Sequence, residues 1–175
     1  YLPKPFDVDQ AVDLVRRAGA LVDAVSAGEL HRALAAGFEA QGDPPPIVYT
    51  ADIFDHDAFA AVAEHGIPVN CGSADMIEQY AELRVRRPAL SDEITFRVNP
   101  GFGHGHVNAC DTGGPSSKHG IWFEDVLAAK DAAERAGLEV TMLHAHIGSG
   151  PQWTELQENL TRLAAEFVQV MKKFP

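Results

Sequence analysis

The stretch LEVTMLHAHIGSG, residues 138–150, decides the fold of this chain. Its first half is an apolar run of the kind that forms a buried strand in a parallel sheet. Its second half changes to histidines, small residues and a serine. In α/β architectures the residues that carry chemistry lie at the carboxyl ends of the strands. We therefore expect a buried strand here, with residues 140–147 forming the floor of a site.

Outward from this stretch, strand-like and helix-like segments alternate along the chain. Apolar residues at helical spacing predict helices at residues 7–18, 28–40, 55–64, 75–84, 124–136 and 153–172. Further strand-like runs lie at residues 1–4, 20–25, 47–50, 67–71 and 94–98. With the opening stretch these make six runs. The pattern is expected of βα units around a parallel sheet, and one domain is enough to hold them.

Polar side chains recur where the apolar runs end. They are Lys4, Asp23, Ser26, Thr50, Asp52, Asn70, Ser73, Arg97, Asn99, His146 and Ser149. At any single position a loop start or a helix cap explains a polar residue equally well. Here polar residues end six apolar runs in succession, and Lys, Arg and His are among them. This pattern favours a functional site, because the strand ends of a βα barrel converge on one face.

The composition excludes some classes of function. The 175 residues carry 25 acidic and 14 basic side chains, for a formal charge of -11, and nucleic-acid binding requires a basic surface. We expect no nucleic-acid partner. No apolar stretch approaches the ~20 residues of a membrane span, so we expect no membrane segment and a cytoplasmic location. Cys71 and Cys110 are expected to be free thiols.

Several side chains admit two interpretations. Lys4 ends an apolar run and is either a desolvated amine suited to Schiff-base chemistry or a solvated charge. His104 and His106 lie in a glycine-rich loop without a nearby carboxylate pair, which favours a flexible active-site loop over a metal site. Ser149, between two glycines and before a helix, is a candidate phosphate cradle.

Four segments carry a family resemblance. They are VDAVSAGEL (residues 22–30), FRVNP (96–100), SKHGI (117–121) and HAHIGSG (144–150). In this order they resemble the D-x-x-S-x-x-E, arginine-strand, S-K-F-G and H-x-G-S motifs of the fold-type III pyridoxal phosphate decarboxylases. That family includes diaminopimelate, ornithine and arginine decarboxylases. YLPK, residues 1–4, lies where the family has its Y-x-x-K cofactor lysine.

The resemblance implies a fold, a cofactor and site residues. The fold would be an alanine racemase-like (β/α)8 barrel, and the cofactor pyridoxal 5′-phosphate. Lys4 would bind the cofactor as a Schiff base, and His146 would stack on its ring; both would be catalytic. Ser149 would bind the cofactor phosphate. Asp23, Glu29 and Arg97 would line the pocket. No metal is expected.

The chain departs from the family pattern in its extent. A (β/α)8 barrel needs eight strands and about 250 residues, whereas this sequence has six strand-like runs. We expect residues 1–175 to be an incomplete barrel domain, cut at both ends, without the family's C-terminal β-domain and inactive by itself. Two motifs also differ locally: Pro5 and Phe6 follow Lys4 in place of Ala-Asn, and the turn contains His119 in place of phenylalanine.

The glycine-rich loop is most similar to the bacterial diaminopimelate decarboxylase branch of the family. The expected reaction is therefore decarboxylation of meso-diaminopimelate to L-lysine, by a protein that the resemblance implies to be a homodimer. Decarboxylation of ornithine, arginine, carboxynorspermidine or a carrier-bound amino acid stays open. Two other classes are a non-catalytic barrel with a binding or regulatory role and a metal-dependent hydrolase. The hydrolase would use His104, His106, His144 and His146.

Overall fold

Helices and strands alternate along the chain in the computed structural model, which describes residues 8–50, 54–103, 105, 112–148 and 152–174. The strands are β1 (Val22–Ala24), β2 (Ile47–Tyr49), β3 (Asn70–Cys71), β4 (Glu93–Asn99), β5 (Ile121–Trp122) and β6 (Glu139–His144). The helices are α1 (Val8–Arg17), α2 (Ala27–Ala35), α3 (His56–His65), α4 (Ala74–Arg86), α5 (Val126–Arg135) and α6 (Trp153–Met171). The predicted α/β class is confirmed.

All strand pairs of the described residues are parallel. β1 pairs with β2, β3 with β4, and β4 with both β5 and β6. A bridge between Tyr49 and Val69 joins β2 to β3. The order β1-β2-β3-β4-β6 therefore follows the chain, with β5 beside the carboxyl end of β4. Neighbouring strands in chain order are expected of successive βα units, and in the described residues this arc is open, with β1 and β6 at its edges.

The strands have one apolar face and one polar face, because successive side chains point to opposite sides. The apolar face is fully buried at Ala24, Tyr49, Val69 and Phe96, which are at most 1% exposed. Helices pack against this face, and their buried side chains join the same core. The opposite face carries the polar side chains of the strands. They include Asp23, Asn70, Thr95, Arg97 and His144, and Thr50 directly follows β2.

A capping hydrogen bond and a glycine define the two ends of α3, and a side-chain hydrogen bond holds the end of α4 in place. The Asp55 carboxylate accepts a hydrogen bond from the Ala58 amide at 2.7 Å and so caps the start of α3. Gly66, with φ of 65°, ends that helix in the left-handed conformation that glycine tolerates. At the end of α4, Arg84 donates from Nη1 to the Gly137 carbonyl at 2.8 Å, which ties α4 to the turn before β6.

Some predicted boundaries are wrong. The helix expected at residues 28–40 ends at Ala35, because the chain turns at Gly37, where φ is 83°. The strand expected at residues 67–71 is reduced to Asn70–Cys71, with only a bridge at Val69. β5 was not expected, and it forms because Ile121 and Trp122 lie beside Val98 and Asn99. The strand-like run at residues 1–4 lies outside the described residues.

The strand predicted within the opening stretch is present as β6, but its predicted burial is wrong. Only Val140 of β6 is buried, and Met142 is 49% exposed. The reason is positional. In the described residues β6 has a strand partner on one side only, β4, and Met142 lies beside Thr95 on the polar face.

Other expectations concern membranes and cysteines. In the described part of the chain, no helix is both long enough and apolar enough to cross a bilayer. Cys71 is a free, buried thiol, as expected, and burial raises its pKa to about 12. Cys110 lies outside the described residues.

Candidate functional site

The polar face of the sheet brings the strand ends together, beginning at β2 and β3. The Asn70 side-chain amide donates a hydrogen bond to the Thr50 hydroxyl. Both residues are almost fully buried, at 5% and 3% exposure. This contact fixes two adjacent strand ends, and the hydrogen bond satisfies polar groups that would otherwise be costly to bury.

Asp23 and His144 meet across the polar face. The Nε2 atom of His144 lies 3.7 Å from Oδ2 of Asp23, and their side chains are 27% and 51% exposed. Asp23 lies on β1 and His144 at the end of β6, which are the two edges of the strand order. The sheet of the described residues therefore curves so that its polar face is the inner one.

Arg97 places a positive charge beside this pair. It lies on β4 directly opposite His144 in the strand register and is 9% exposed. Small residues surround it: a Cβ at Gly72 would lie 3.9 Å from the Arg97 Cβ, and Gly72 is in turn close to Gly120. The guanidinium lowers the pKa of His144 and of His146 by repelling a proton.

His146 follows β6 and presents an exposed imidazole ring at the same site. Its Nδ1 atom lies 2.5 Å from the Thr112 hydroxyl oxygen. Partial burial is the main reason that its pKa is lowered, Arg97 lowers it further, and Asp23 acts in the opposite direction. The pKa of His144 is also lowered mainly by burial. At His144 the raising effect of Asp23 is larger than the lowering effect of Arg97. Both rings therefore favour the neutral form.

Glu29 has a local role at the start of α2. Its Oε2 atom accepts a hydrogen bond from the Val25 amide at 2.8 Å, while the Ser26 hydroxyl accepts one from the Glu29 amide at 3.3 Å. This arrangement resembles a capping box, except that Glu29 accepts from the amide of Val25, one residue before the Ser26 N-cap. It satisfies two backbone donors at the start of the helix. The sequence-based assignment of Glu29 to the cofactor pocket stays a prediction.

Two other predicted site residues, Lys4 and Ser149, lie outside the described residues, as do His104, His106 and Asp52. Their assignments stay predictions. Among the residues that the structure describes, no three His, Cys, Asp or Glu side chains converge as a metal site would need.

Two contributors to the site, His144 and Thr112, were not among the residues predicted for the cofactor pocket. His144 had a signal in the sequence, the spacing of two from His146 along a strand, which predicts one shared face. Thr112 had none, because it lies in a polar loop whose path depends on tertiary packing. Its hydroxyl nevertheless contacts His146 directly.

The side chains at this site suit a flat, anionic group. Arg97 supplies positive charge, and the exposed ring of His146 supplies a flat surface. The Nδ1 atom of His144 is buried and has no hydrogen-bond partner among the described residues, so it can still bind a polar group. The cofactor expected from the sequence has the required shape and charge.

Comparisons with known proteins show the family of this chain. The family model described as "Pyridoxal-dependent decarboxylase, pyridoxal binding domain" matches residues 1–174. Diaminopimelate decarboxylase of Escherichia coli K12 is 44% identical over 159 residues, which are 89% of this chain and 37% of that protein. The enzyme of the same name from Streptomyces coelicolor is 47% identical over 144 residues, 82% of this chain and 32% of that protein.

Solved structures give the same result. A crystal structure of diaminopimelate decarboxylase superposes with a TM-score of 0.76 at 42% identity, covering 92% of this chain and 37% of that one. The Helicobacter pylori diaminopimelate decarboxylase complexed with L-lysine gives a TM-score of 0.81 at 21% identity, covering 94% and 41%. The second likeness concerns the fold alone. The chain thus spans about a third of the length of the curated relatives it matches.

Proposed function

The chain belongs to the pyridoxal-dependent decarboxylase family, as a pyridoxal-binding domain, and from this premise we propose that its protein is a diaminopimelate decarboxylase. The family predicted from the four sequence motifs is thereby confirmed. The proposed reaction removes one carboxyl group of meso-diaminopimelate as carbon dioxide and leaves L-lysine. Relatives of 44% and 47% identity that carry this name support the choice of substrate.

One observation carries the proposal: Asp23, Arg97, His144 and His146 lie together at the carboxyl ends of parallel strands. Pyridoxal phosphate, when bound, supplies the electron sink for the carbanion left by the departing carbon dioxide. The protein then has to bind, orient and surround the reacting group.

Each described residue of the site would have a role that follows from its chemistry. The exposed ring of His146 would lie against the flat face of the cofactor, with its orientation fixed by the hydrogen bond to Thr112. The positive charge of Arg97 would attract the anionic groups that enter the site. The Asp23 carboxylate, which lies beside His144, would attract a cationic amino group of the substrate.

Three further assignments follow from the family resemblance. In the proposed site Lys4 attaches the cofactor covalently, Ser149 binds its phosphate, and Glu29 lines the pocket beside its helix cap. The glycines around Ser149 support the phosphate assignment, because they let backbone amides approach an anion closely.

The proposal extends to the architecture. Residues 1–175 would form part of an alanine racemase-like (β/α)8 barrel domain. Parallel strands in chain order with a polar inner face support this view. The whole protein would be a cytoplasmic homodimer that takes an amino-acid substrate and binds neither nucleic acid nor membrane. The acidic excess, with a formal charge of -11, supports the absence of a nucleic-acid partner.

The test uses the full-length protein with pyridoxal phosphate. Visible absorbance should report cofactor binding, and borohydride reduction followed by peptide mass mapping should place the label on Lys4. Carbon dioxide release should be fastest from meso-diaminopimelate and much slower from ornithine or arginine. A bound cofactor without release from any amino acid would favour a non-catalytic barrel. A colourless protein with no labelled lysine would overturn the decarboxylase mechanism.

A further inference from the structure

The contact between Thr112 and His146 involves two atoms of the histidine. The Thr112 hydroxyl oxygen lies 2.5 Å from the ring Nδ1 and 3.0 Å from the backbone carbonyl oxygen of His146. A hydroxyl group has one proton to donate and lone pairs to accept. The carbonyl oxygen can only accept, so it takes the hydroxyl proton. The ring nitrogen must then be the donor.

We infer that Thr112 is a positioning residue for His146: it fixes the orientation of the imidazole and holds the neutral ring with its proton on Nδ1. The Nε2 atom is then unprotonated and available as an acceptor. This inference deepens the proposed function and rests on it, because His146 is the residue proposed to lie against the cofactor.

Packing on two sides holds Thr112 in place. A Cβ at the neighbouring Gly113 would lie 2.5 Å from the Phe102 carbonyl oxygen and 3.2 Å from the Ile147 Cα. Only glycine therefore lets the backbone at position 113 fit between the segment that follows β4 and the residue that follows His146. This close packing fixes the position of the loop, and therefore of Thr112, relative to His146.

A hydrogen bond anchors the next residue of the loop. The Asn99 side-chain amide, at the end of β4, donates to the Gly114 carbonyl at 3.3 Å. Asn99 is 1% exposed, so this anchor belongs to the rigid part of the sheet. Thr112 is thus placed by the strand that also carries Arg97.

The electrostatics agree with a singly protonated ring. Partial burial and Arg97 both lower the pKa of His146. A neutral imidazole carries one proton, and the Thr112 hydroxyl selects the nitrogen that keeps it. Free imidazole side chains favour the other nitrogen only slightly, so one hydrogen bond is enough to reverse the preference.

The test reads the tautomer directly in the full-length protein without cofactor. Two-bond nitrogen–proton correlations in ¹⁵N-histidine-labelled protein at pH 8 should show His146 with a protonated Nδ1 and an unprotonated Nε2. The His146→Gln variant identifies the signals of this ring among those of the other histidines. A wild-type His146 with a protonated Nε2 would overturn the inference without any variant.

Two variants test the role of the hydroxyl. Thr112→Val keeps the shape of the side chain and removes the hydroxyl, so the His146 signals should shift toward the Nε2-protonated form. Thr112→Ser should restore the wild-type spectrum. The control is Thr161→Val, which removes a hydroxyl that donates to the Gln157 carbonyl on α6. An unchanged His146 spectrum in Thr112→Val would overturn the inference.

A titration with pyridoxal phosphate separates this inference from the proposed function. The affinity for the cofactor should fall about fivefold in Thr112→Val, the usual size of one hydrogen bond, and recover in Thr112→Ser. A wild-type protein that binds no cofactor would overturn the proposed function and leave the tautomer result standing. Cofactor binding by a wild-type protein with Nε2-protonated His146 would overturn this inference alone.

Discussion

The imidazole of His144 and the carboxylate of Asp23 lie 3.7 Å apart although they belong to the two edge strands of the described sheet. Between these strands lie β2, β3 and β4, paired in chain order. Only a strongly curved sheet brings its edges this close. The polar face therefore encloses a space, and the side chains of that face act on one another even though they are far apart in sequence.

The two partners differ in exposure, which decides how strongly they interact. Asp23 is half exposed, and His144 is mostly covered. Water screens the carboxylate, so the pair adds little to the free energy of unfolding. Its main effect is on protonation: Asp23 raises the pKa of His144 against the larger effect of burial.

Replacing Asp23 by Asn should lower the pKa of His144 further. The substitution removes the one carboxylate that favours protonation of the ring, while burial and Arg97 continue to oppose it. The measurement is a histidine titration by NMR. The matched control is Asp57→Asn, at an 82% exposed carboxylate on α3, which should leave the His144 titration unchanged. A His144 pKa that rises in Asp23→Asn would contradict the assigned pairing.

Stability should fall as the pH is lowered through the histidine range. The pKa of His144 and that of His146 are lower in the folded protein than the usual value of about 6.5. The unfolded chain therefore binds protons at a higher pH than the folded chain. The stabilisation by neutral histidines is complete above about pH 6.5 and is lost as the pH falls toward the folded pKa values.

Urea unfolding at pH 7.5, 6.5 and 5.5 measures this loss. In His144→Gln the slope of unfolding free energy against pH should decrease, by at most about 1.4 kcal/mol per pH unit. His56→Gln is the control, because the His56 side chain is 98% exposed. If His144→Gln and wild type had the same slope, the burial of His144 would have no energetic consequence.

The sequence was sufficient to predict the α/β class and the polar strand ends because both follow from local periodicity. Asp23, Arg97 and His146 are found at the carboxyl ends of strands or just after one, and the capping chemistry of Asp55 and Gly66 marks the helix between β2 and β3. These features depend on residues a few positions apart. Short-range patterns of this kind can be read from a single sequence.

The contacts between distant segments could not be predicted in the same way. The hydroxyl of Thr112 meets His146 across 34 residues, and the loop that carries it shows no periodicity. β5 is only two residues long and exists because β4 lies beside it. The exposed Met142 has an apolar side chain, so composition alone favoured burial. Met142 is exposed because it lies on the polar face of an edge strand.

Gly120 should be intolerant of substitution for two separate reasons. Its φ is 84°, and a Cβ would lie 2.8 Å from the Asn99 amide nitrogen and 2.9 Å from the Val98 carbonyl carbon. Backbone atoms of β4 cannot move away without breaking strand pairing. We expect Gly120→Ala to destabilise the fold by about 3 kcal/mol or more, as measured by urea unfolding.

Gly137 separates the two causes. Its φ is 76°, but nothing lies within 4 Å of a Cβ at that position. Gly137→Ala should therefore cost only the backbone term, about 1 kcal/mol. Equal losses in the two variants would mean that the close approach of β4 to Gly120 is unimportant.

Glu29 offers a test that separates its helix cap from its proposed place in the cofactor pocket. Its carboxylate accepts from the Val25 amide at 2.8 Å, and a glutamine carbonyl can accept the same bond. Glu29→Gln should keep the unfolding free energy within about 0.5 kcal/mol of wild type, whereas Glu29→Ala should lose about 1 kcal/mol. Urea unfolding of both variants measures the cap, and titration with pyridoxal phosphate measures the pocket. Weaker cofactor binding in Glu29→Gln at unchanged stability would support a role of the negative charge at the site. Unchanged binding in both variants would leave Glu29 as a helix cap and remove it from the pocket, because the loss of the whole carboxylate would then be felt only at the start of α2.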